Sequence, residues 1–318
     1  MSNFNEHEQA IERLKLGELI VISDMSSDHY HQHKGISSSK IKDGMNSMMY
    51  FNNKYNKQII KQPDKDHFCV GRLTHSLILE PHKVNEEYMK MPDTPRPNNT
   101  QRERYDRWVK RGKPSKNEYK DYPTDLMIER CEFWDSLNCS DKTLVDKDQW
   151  KLANDMAEAC KSHPVVKRML DYENVEIENS YFTRDQSSEM LLKVRPDIKI
   201  NNVIADIKSV SLRSKPDEHH LINTLRSEVY RQKYHVSAAM YCDVTCADQF
   251  IVIFVNKEPG YHWVAVLNMG DKMLNEGRTT YKAVLNNIKT CTEYDAWPAP
   301  LSIATDLGDD QYYIIPEL

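Results

Sequence analysis

"RPDIKINNVIADIKSV", Arg195 to Val210, sets two acids and a lysine, Asp197, Asp206 and Lys208, on what reads as one tight hairpin. Along "VIADIKSV" a strand puts Ile204, Asp206 and Lys208 on one face and Val203, Ala205, Ile207 and Ser209 on the other, because strand side chains alternate with period two. Upstream, "MLLKVRPDIKI" reads as the partner strand. Asn201-Asn202 suits a two-residue turn, since Asn tolerates the left-handed backbone such turns need. With that loop Ile200 faces Val203, and counting back sets Asp197 directly opposite Asp206. Directly opposed like charges destabilise a sheet. The β-carbons of such a pair are about 5 Å apart, close enough for both carboxylates to ligate one hard cation such as Mg²⁺. A metal turns a repulsive pair into a binding site.

Asp-x-Lys by itself occurs by chance in many chains, and surface hairpins carry acids and lysines as weak ion pairs. The joint pattern is more specific: Pro196-Asp197, eight intervening residues, then Asp206-Ile207-Lys208 on adjacent strands.

Working outward, Ser37 to Ser39 is expected to cap a helix running to about Tyr55, Val70 to Glu80 a second helix stopped by Pro81, and Asp148 to Leu170 one or two more, broken near Pro164. Strands follow in succession at "VEIENSYFT", "EMLLKVRPDIKI" and "NVIADIKSV". "SEVYRQKYHVSAAMYCDVT" returns to helix, "QFIVIFV" and "YHWVAVLN" form a hairpin around "NKEPG", and a last helix covers about Asp271 to Asn287. This order predicts an α/β fold, a mixed central sheet flanked by helices with an N-terminal helical region. One domain over 1–318 is expected, with a polar, basic insertion or arm at about 91–147.

Composition agrees with a globular chain. The 318 residues are 39% hydrophobic, and the longest apolar run, "FIVIFV", is far short of the roughly 18 residues that cross a bilayer. The start "MSNFNEHEQAIERLK" lacks the basic and apolar parts of a signal peptide, so a cytoplasmic location and no membrane partner are expected. Seven cysteines (69, 131, 139, 160, 242, 246, 291) with no Cys-x-x-Cys pair read as reduced packing residues rather than a zinc or iron–sulfur site.

The net charge of −5 argues against a phosphate-binding surface spread over the whole chain, but charge is segregated. "QRERYDRWVKRGKPSKNEYK", Gln101 to Lys120, carries eight Lys or Arg against three acids, interleaved with Tyr105, Trp108 and Tyr119. Aromatics among cations suit stacking and phosphate contact with a nucleic-acid strand, with Arg104, Arg107, Lys110 and Arg111 as candidate contacts. A solvated insertion whose charges only keep it soluble reads the same way.

"PD" followed by "DIK" resembles the PD-(D/E)XK nuclease superfamily, and within it the exonuclease VIII (RecE-type) nuclease domain, usually encoded by phages or prophages. "GRLTHSLILEP" resembles the family's histidine helix, "ISSSKIKDGMNSMMYF" its Ser-rich helix start, "DKDQWKLANDMAEACKSHP" a segment between the motifs, and "YHVSAAMYCD" its later helix. The similarity runs from about His29 to Trp297.

From the residues alone, His75 on an apolar helix reads first as a packed core histidine. The resemblance makes it a metal ligand, beside Asp197, Asp206 and the backbone carbonyl of Ile207. Glu178 matches an acid the family keeps near the metal, although Glu176 has the same strand parity. Glu80 reads as a packing residue at the helix stop. Tyr230, Tyr234, Ser237 and Tyr241 fall on one helical face if the helix is continuous. The family motif there is Gln-x-x-x-Tyr, contacting the site or DNA; Tyr241 keeps the match and Ser237 stands where the glutamine would.

Phosphodiester hydrolysis needs a hydroxide-like nucleophile and stabilisation of charge on the phosphoryl oxygens. Mg²⁺ held by these ligands would provide both, with Lys208 placed to orient or deprotonate the water, and a histidine ligand makes Mn²⁺ an acceptable substitute. The resemblance further implies digestion of double-stranded DNA from 5′ ends to leave 3′ single strands for a single-strand annealing recombinase, by a ring-shaped homo-oligomer such as a tetramer. An endonuclease, a single-strand-specific relative using the same site, and a catalytically degenerate DNA-binding or assembly module are the alternatives.

Overall fold

The protein is described here from a computed structural model covering residues 2–23, 25–60, 69–138, 142–213 and 217–300. Cys139 and the end of the Pro-rich tail from 301 lie outside the described residues. The strands, in chain order, are β1 (Leu19–Ile22), β2 (Tyr88–Lys90), β3 (Thr143–Val145), β4 (Glu176–Ile177), β5 (Ser180–Arg184), β6 (Leu191–Val194), β7 (Ile198–Ile200), β8 (Val203–Val210), β9 (Gln249–Asn256) and β10 (Val264–Asn268). Two compact units are distinguished, Met1–Lys65 with Glu158–Leu318, and Asp66–Ala157.

The larger unit is α/β. Its five-stranded mixed sheet has the order β10-β9-β8-β7-β4, and a separate three-stranded sheet the order β1-β5-β6. The β7–β8 hairpin has the predicted two-residue turn, with Asn201 at φ +50°, and pairs Ile200 with Val203 and Ile198 with Ala205. The chain then leaves β8, forms helices Glu218–Arg231 and Tyr234–Thr245, and returns as β9 parallel to β8. Parallel neighbours require such a crossover.

Helix Tyr234–Thr245 is the centre of this unit. Val236, Ala239 and Met240 pack with Tyr181, Val194 and Tyr281, whereas Ala238 and Cys242 pack with Ile204, Phe250 and Phe254. A helix apolar on all sides is one buried on all sides. Helix Asp271–Tyr294, seven residues longer at its C-terminal end than predicted, crosses it so closely that a β-carbon at Gly277 would stand 2.2 Å from the His235 carbonyl oxygen.

Four expected elements are broken, each for a local reason. The N-terminal helix is Ser38–Asn46, capped by Ser37; it stops at Ser47, whose extended backbone and hydroxyl cap a new turn at Met48–Phe51. "VEIENSYFT" is two strands of different sheets, because Glu178 takes φ +54° and turns the chain between β4 and β5. "EMLLKVRPDIKI" is also two, β6 and β7, divided at Arg195–Asp197. Lys233 at φ +56° divides the helix predicted through Tyr230 and Tyr241, so Tyr230 leaves the expected stripe and its hydroxyl bonds Glu276 at 2.7 Å.

In the smaller unit β2 and β3 pair in parallel. The basic segment is ordered: helix Asn99–Lys110 begins with a capping box between Asn98 and Gln101. Tyr105 and Trp108, expected to stack on a nucleic acid, are buried with Cys131, and the Trp108 indole donates to the Pro114 carbonyl at 2.8 Å. Their apolar area outweighs the flexible look of the flanking Pro and Gly residues.

Candidate active site

Both strand breaks fall at acids. The β7–β8 register continues one step beyond its last pair to set Asp197 opposite Asp206, and both are buried, each 6% exposed. The Asp197 carboxylate accepts from the Ile207 backbone N–H at 2.6 Å. Asp206 forms an ion pair with Lys208 on the same strand face, and the Lys208 ammonium also donates to the Ile207 carbonyl at 3.4 Å. Burial first, and then the neighbouring Asp197 carboxylate, push the Asp206 carboxyl up to about 6 against the opposite pull of Lys208. Burial would depress the Lys208 ammonium, but Asp206 and Asp197 hold it above the ordinary lysine range.

Glu178 joins this pair. Its backbone N–H donates to the Asp197 carbonyl at 3.2 Å, and a carboxylate oxygen lies within 4.8 Å of one on Asp197. Arg195 fixes the corner: its guanidinium meets the Glu178 carboxylate at 3.0 Å and donates to the carbonyls of Glu178 and Met25 at 2.7 and 2.6 Å. Glu176, of the same strand parity, is occupied by Lys199, Asn179 and Tyr181.

Tyr241 lies at this cluster. Its hydroxyl hydrogen-bonds Ser38, and burial together with Asp206 and Asp197 raises its pKa. Ser237, one helical turn before, is buried. His75 is half-buried on helix Cys69–Leu79 of the smaller unit. There Glu80 forms an ion pair with Lys83, Arg104 bonds the Asp121 and Tyr122 carbonyls at 3.2 and 2.8 Å, and Arg107 meets the Asp121 carboxylate at 3.0 Å. Lys110 is exposed, and Arg111 lies 5.2 Å from the Tyr119 ring centre.

Sequence reasoning missed Arg195, although it is the first residue of the decisive stretch, and Lys42 and Ser38 on the Ser-rich helix. The donor set of Asp197, Asp206 and Glu178 is oxygen-only and anionic, which fits a hard divalent cation. Asp206 and Asp197 hydrogen-bond one another, an arrangement that needs a shared proton and that a cation would replace.

The mixed sheet, its flanking helices and this acid–lysine hairpin define a PD-(D/E)XK nuclease-type fold. Residues 37–303 match the family described as "PDDEXK-like domain of unknown function (DUF3799)", and the chain belongs to it. Comparison with curated proteins gives no match. Among solved structures, a "Putative exonuclease" from Eubacterium rectale is similar over 93% of this chain and 96% of its own, with 12% identity and a TM-score of 0.54. The structure of SSO0001 overlaps 49% of this chain and 79% of its own at 15% identity and a TM-score of 0.25.

Proposed function

We propose that this protein is a divalent-metal-dependent deoxyribonuclease, an exonuclease that degrades double-stranded DNA from 5′ ends and leaves 3′ single strands. The observation that carries the reading is the opposition of two buried acids, Asp197 and Asp206, across a hairpin that also presents Lys208. Opposed acids cost stability, and a cation together with a phosphate gives that cost a use. The overall likeness to a solved "Putative exonuclease" supports the choice of exonuclease, as does the resemblance of the hairpin and of the His75 helix to the RecE-type domain.

Asp197, Asp206, Glu178 and the Ile207 carbonyl, with His75 by resemblance, would hold Mg²⁺ or Mn²⁺. When bound, that ion supplies positive charge to the phosphoryl oxygens and acidity to water. The protein's own residues do the rest. Asp197 is fixed by the Ile207 N–H, so its carboxylate needs no reorganisation. Lys208, kept as an ammonium by two carboxylates, is a donor: it orients the attacking water and stabilises charge on the phosphate, while proton removal falls to another group. Arg195 positions Glu178. A homo-oligomeric ring and a recombinase that receives the 3′ strand accompany this reading, as does cytoplasmic action; no helix among the described residues is long and apolar enough to cross a membrane.

The deciding experiment is digestion of a linear duplex labelled separately at its 5′ and 3′ ends, with Mg²⁺ and with chelator. Release of 5′ label as mononucleotides, only with the metal, is expected. Equal cleavage of a duplex with blocked ends would replace the exonuclease by an endonuclease, and no cleavage with either Mg²⁺ or Mn²⁺ would leave only a DNA-binding or assembly role.

A further inference from the structure

Beside the hairpin is a cation that the mechanism does not use. Lys42 is on helix Ser38–Asn46, where Ser38, Lys42 and Asn46 recur at a spacing of four and so share one face. That face meets helix Tyr234–Thr245 and its N-cap Lys233 three times. Ser38 bonds the Tyr241 hydroxyl, the Lys42 ammonium lies 5.2 Å from the Tyr234 ring centre, and Asn46 accepts from the Lys233 ammonium at 2.6 Å. Lys208 is over the same Tyr234 ring, at 5.6 Å.

Two ammonium groups thus share one aromatic ring, and a third, that of Lys233, acts on Lys42 from nearby. Burial lowers the Lys42 pKa to about 8, Lys208 and Lys233 push it the same way, and Asp206 opposes them. Among the described residues Lys42 forms no ion pair, although Asp206 is already engaged with Lys208. Lys233 reaches its place only through a left-handed backbone, at φ +56°, that non-glycine residues seldom adopt. Asp206 is committed to Lys208, so the half-buried Lys42 charge beside two other cations is only partly compensated, and an anion would relieve it. A lysine that merely covers Tyr234 would need neither Lys233 nor the proximity of Lys208.

We propose that Lys42, supported by Lys233, forms a second phosphate subsite that receives a backbone phosphate of the DNA strand next to the one at Lys208. The inference rests on the nuclease reading and extends it from the scissile phosphate to its neighbour. The subsite acts through charge on a non-reacting phosphate, so its contribution is to binding and register and is present without metal.

The test uses Lys42→Met, which keeps an unbranched apolar stem on Tyr234 and removes the charge, and Lys42→Arg, which restores it. Binding of a short blunt duplex is measured in chelator across a range of salt. For Lys42→Met the slope of log affinity against log salt is expected to fall by about one unit, the signature of one lost phosphate contact, with Lys42→Arg close to the parent. Should Lys42→Met melt early, Lys42→Gln is read in its place. A parent slope in the uncharged variants would overturn the subsite and leave the nuclease reading intact. A parent protein that neither binds nor cleaves the duplex would overturn the nuclease reading, and the subsite with it.

Discussion

Asp206 is the residue at which burial and charge conflict most. Its folded pKa, about 6, lies above that of an unfolded aspartate, so its proton favours folding fully below about pH 4, and that contribution is lost as pH rises through 6. Ionisation of the group therefore opposes folding in the metal-free protein, and its ion pair with Lys208 offsets part of that cost. Asp206→Asn is therefore expected to abolish hydrolysis while leaving the metal-free fold no less stable at pH 7, and to flatten the pH dependence of melting between pH 4 and 6. At the proposed site Mg²⁺ and the proton would compete for the same oxygens, so a Mg²⁺-induced rise in Tm should be larger at pH 7.5 than at pH 5 in the parent and should shrink in the variant. Thermal melts with Mg²⁺ and with chelator check this; an Asn variant that is destabilised yet keeps its full Mg²⁺ shift would make Asp206 an ordinary salt-bridge partner. Lys208→Ala removes a donor and no proposed metal ligand. Single-turnover hydrolysis should drop by roughly 10²–10³-fold, with metal and DNA binding held, as expected for loss of a preorganised donor.

At the scale of elements, the site depends on interruptions. β4 ends where Glu178 turns left-handed, β6 ends where Arg195 begins the corner before Asp197, and both corners deliver acids. The face of helix Tyr234–Thr245 away from the five-stranded sheet is held by helix Asp271–Tyr294, with no room for a side chain at Gly277. Gly277→Ala places a methyl group against backbone, which cannot swing away as a flexible side chain would. A loss of about 1–3 kcal/mol, read as a lower denaturant midpoint with unchanged slope, is the expected result, and it would be accompanied by loss of activity because Tyr241 and Tyr234 lie on the displaced helix.

For the molecule as a whole, net charge is a weak guide to where DNA binds. Of the basic segment, Arg104 and Arg107 are engaged by Asp121 and by carbonyls of their own unit, whereas Lys110 is exposed. Arg104→Ala should lower thermal stability by about 1–2 kcal/mol, since two carbonyl acceptors lose a charged donor, with little change in the salt slope of DNA binding. The double variant Lys110→Ala, Arg111→Ala should keep the fold and, if the segment tracks phosphate, reduce that slope by about two units. An unchanged slope in the double variant would return the segment to a solvated surface. If Mg²⁺ binds as proposed, saturating ion should stabilise the fold by mass action, by about 2.7 kcal/mol at 100 times its dissociation constant.

The hairpin was legible because its information is local. Period-two alternation and an Asn-Asn turn fix register within sixteen residues, and register alone decides that Asp197 meets Asp206. The α/β class and most helices followed from the same short-range patterns. Two signals were present but outweighed: Asn98 and Gln101 spell a capping box in a stretch that looked like loop, and Ser47 repeats the capping chemistry of Ser37 inside an expected helix. Other features are not encoded locally. Nothing in the strand pattern of "EIENS" says that Glu178 must turn left-handed, since that conformation is stabilised by its N–H bond to Asp197 and by Arg195, contacts that exist only after folding. Likewise Lys42 is one lysine among many in the sequence. Its approach to Tyr234, Lys208 and Lys233 arises because a helix separated from them by more than 150 residues packs across their strand and helix, and only the tertiary structure brings those charges together.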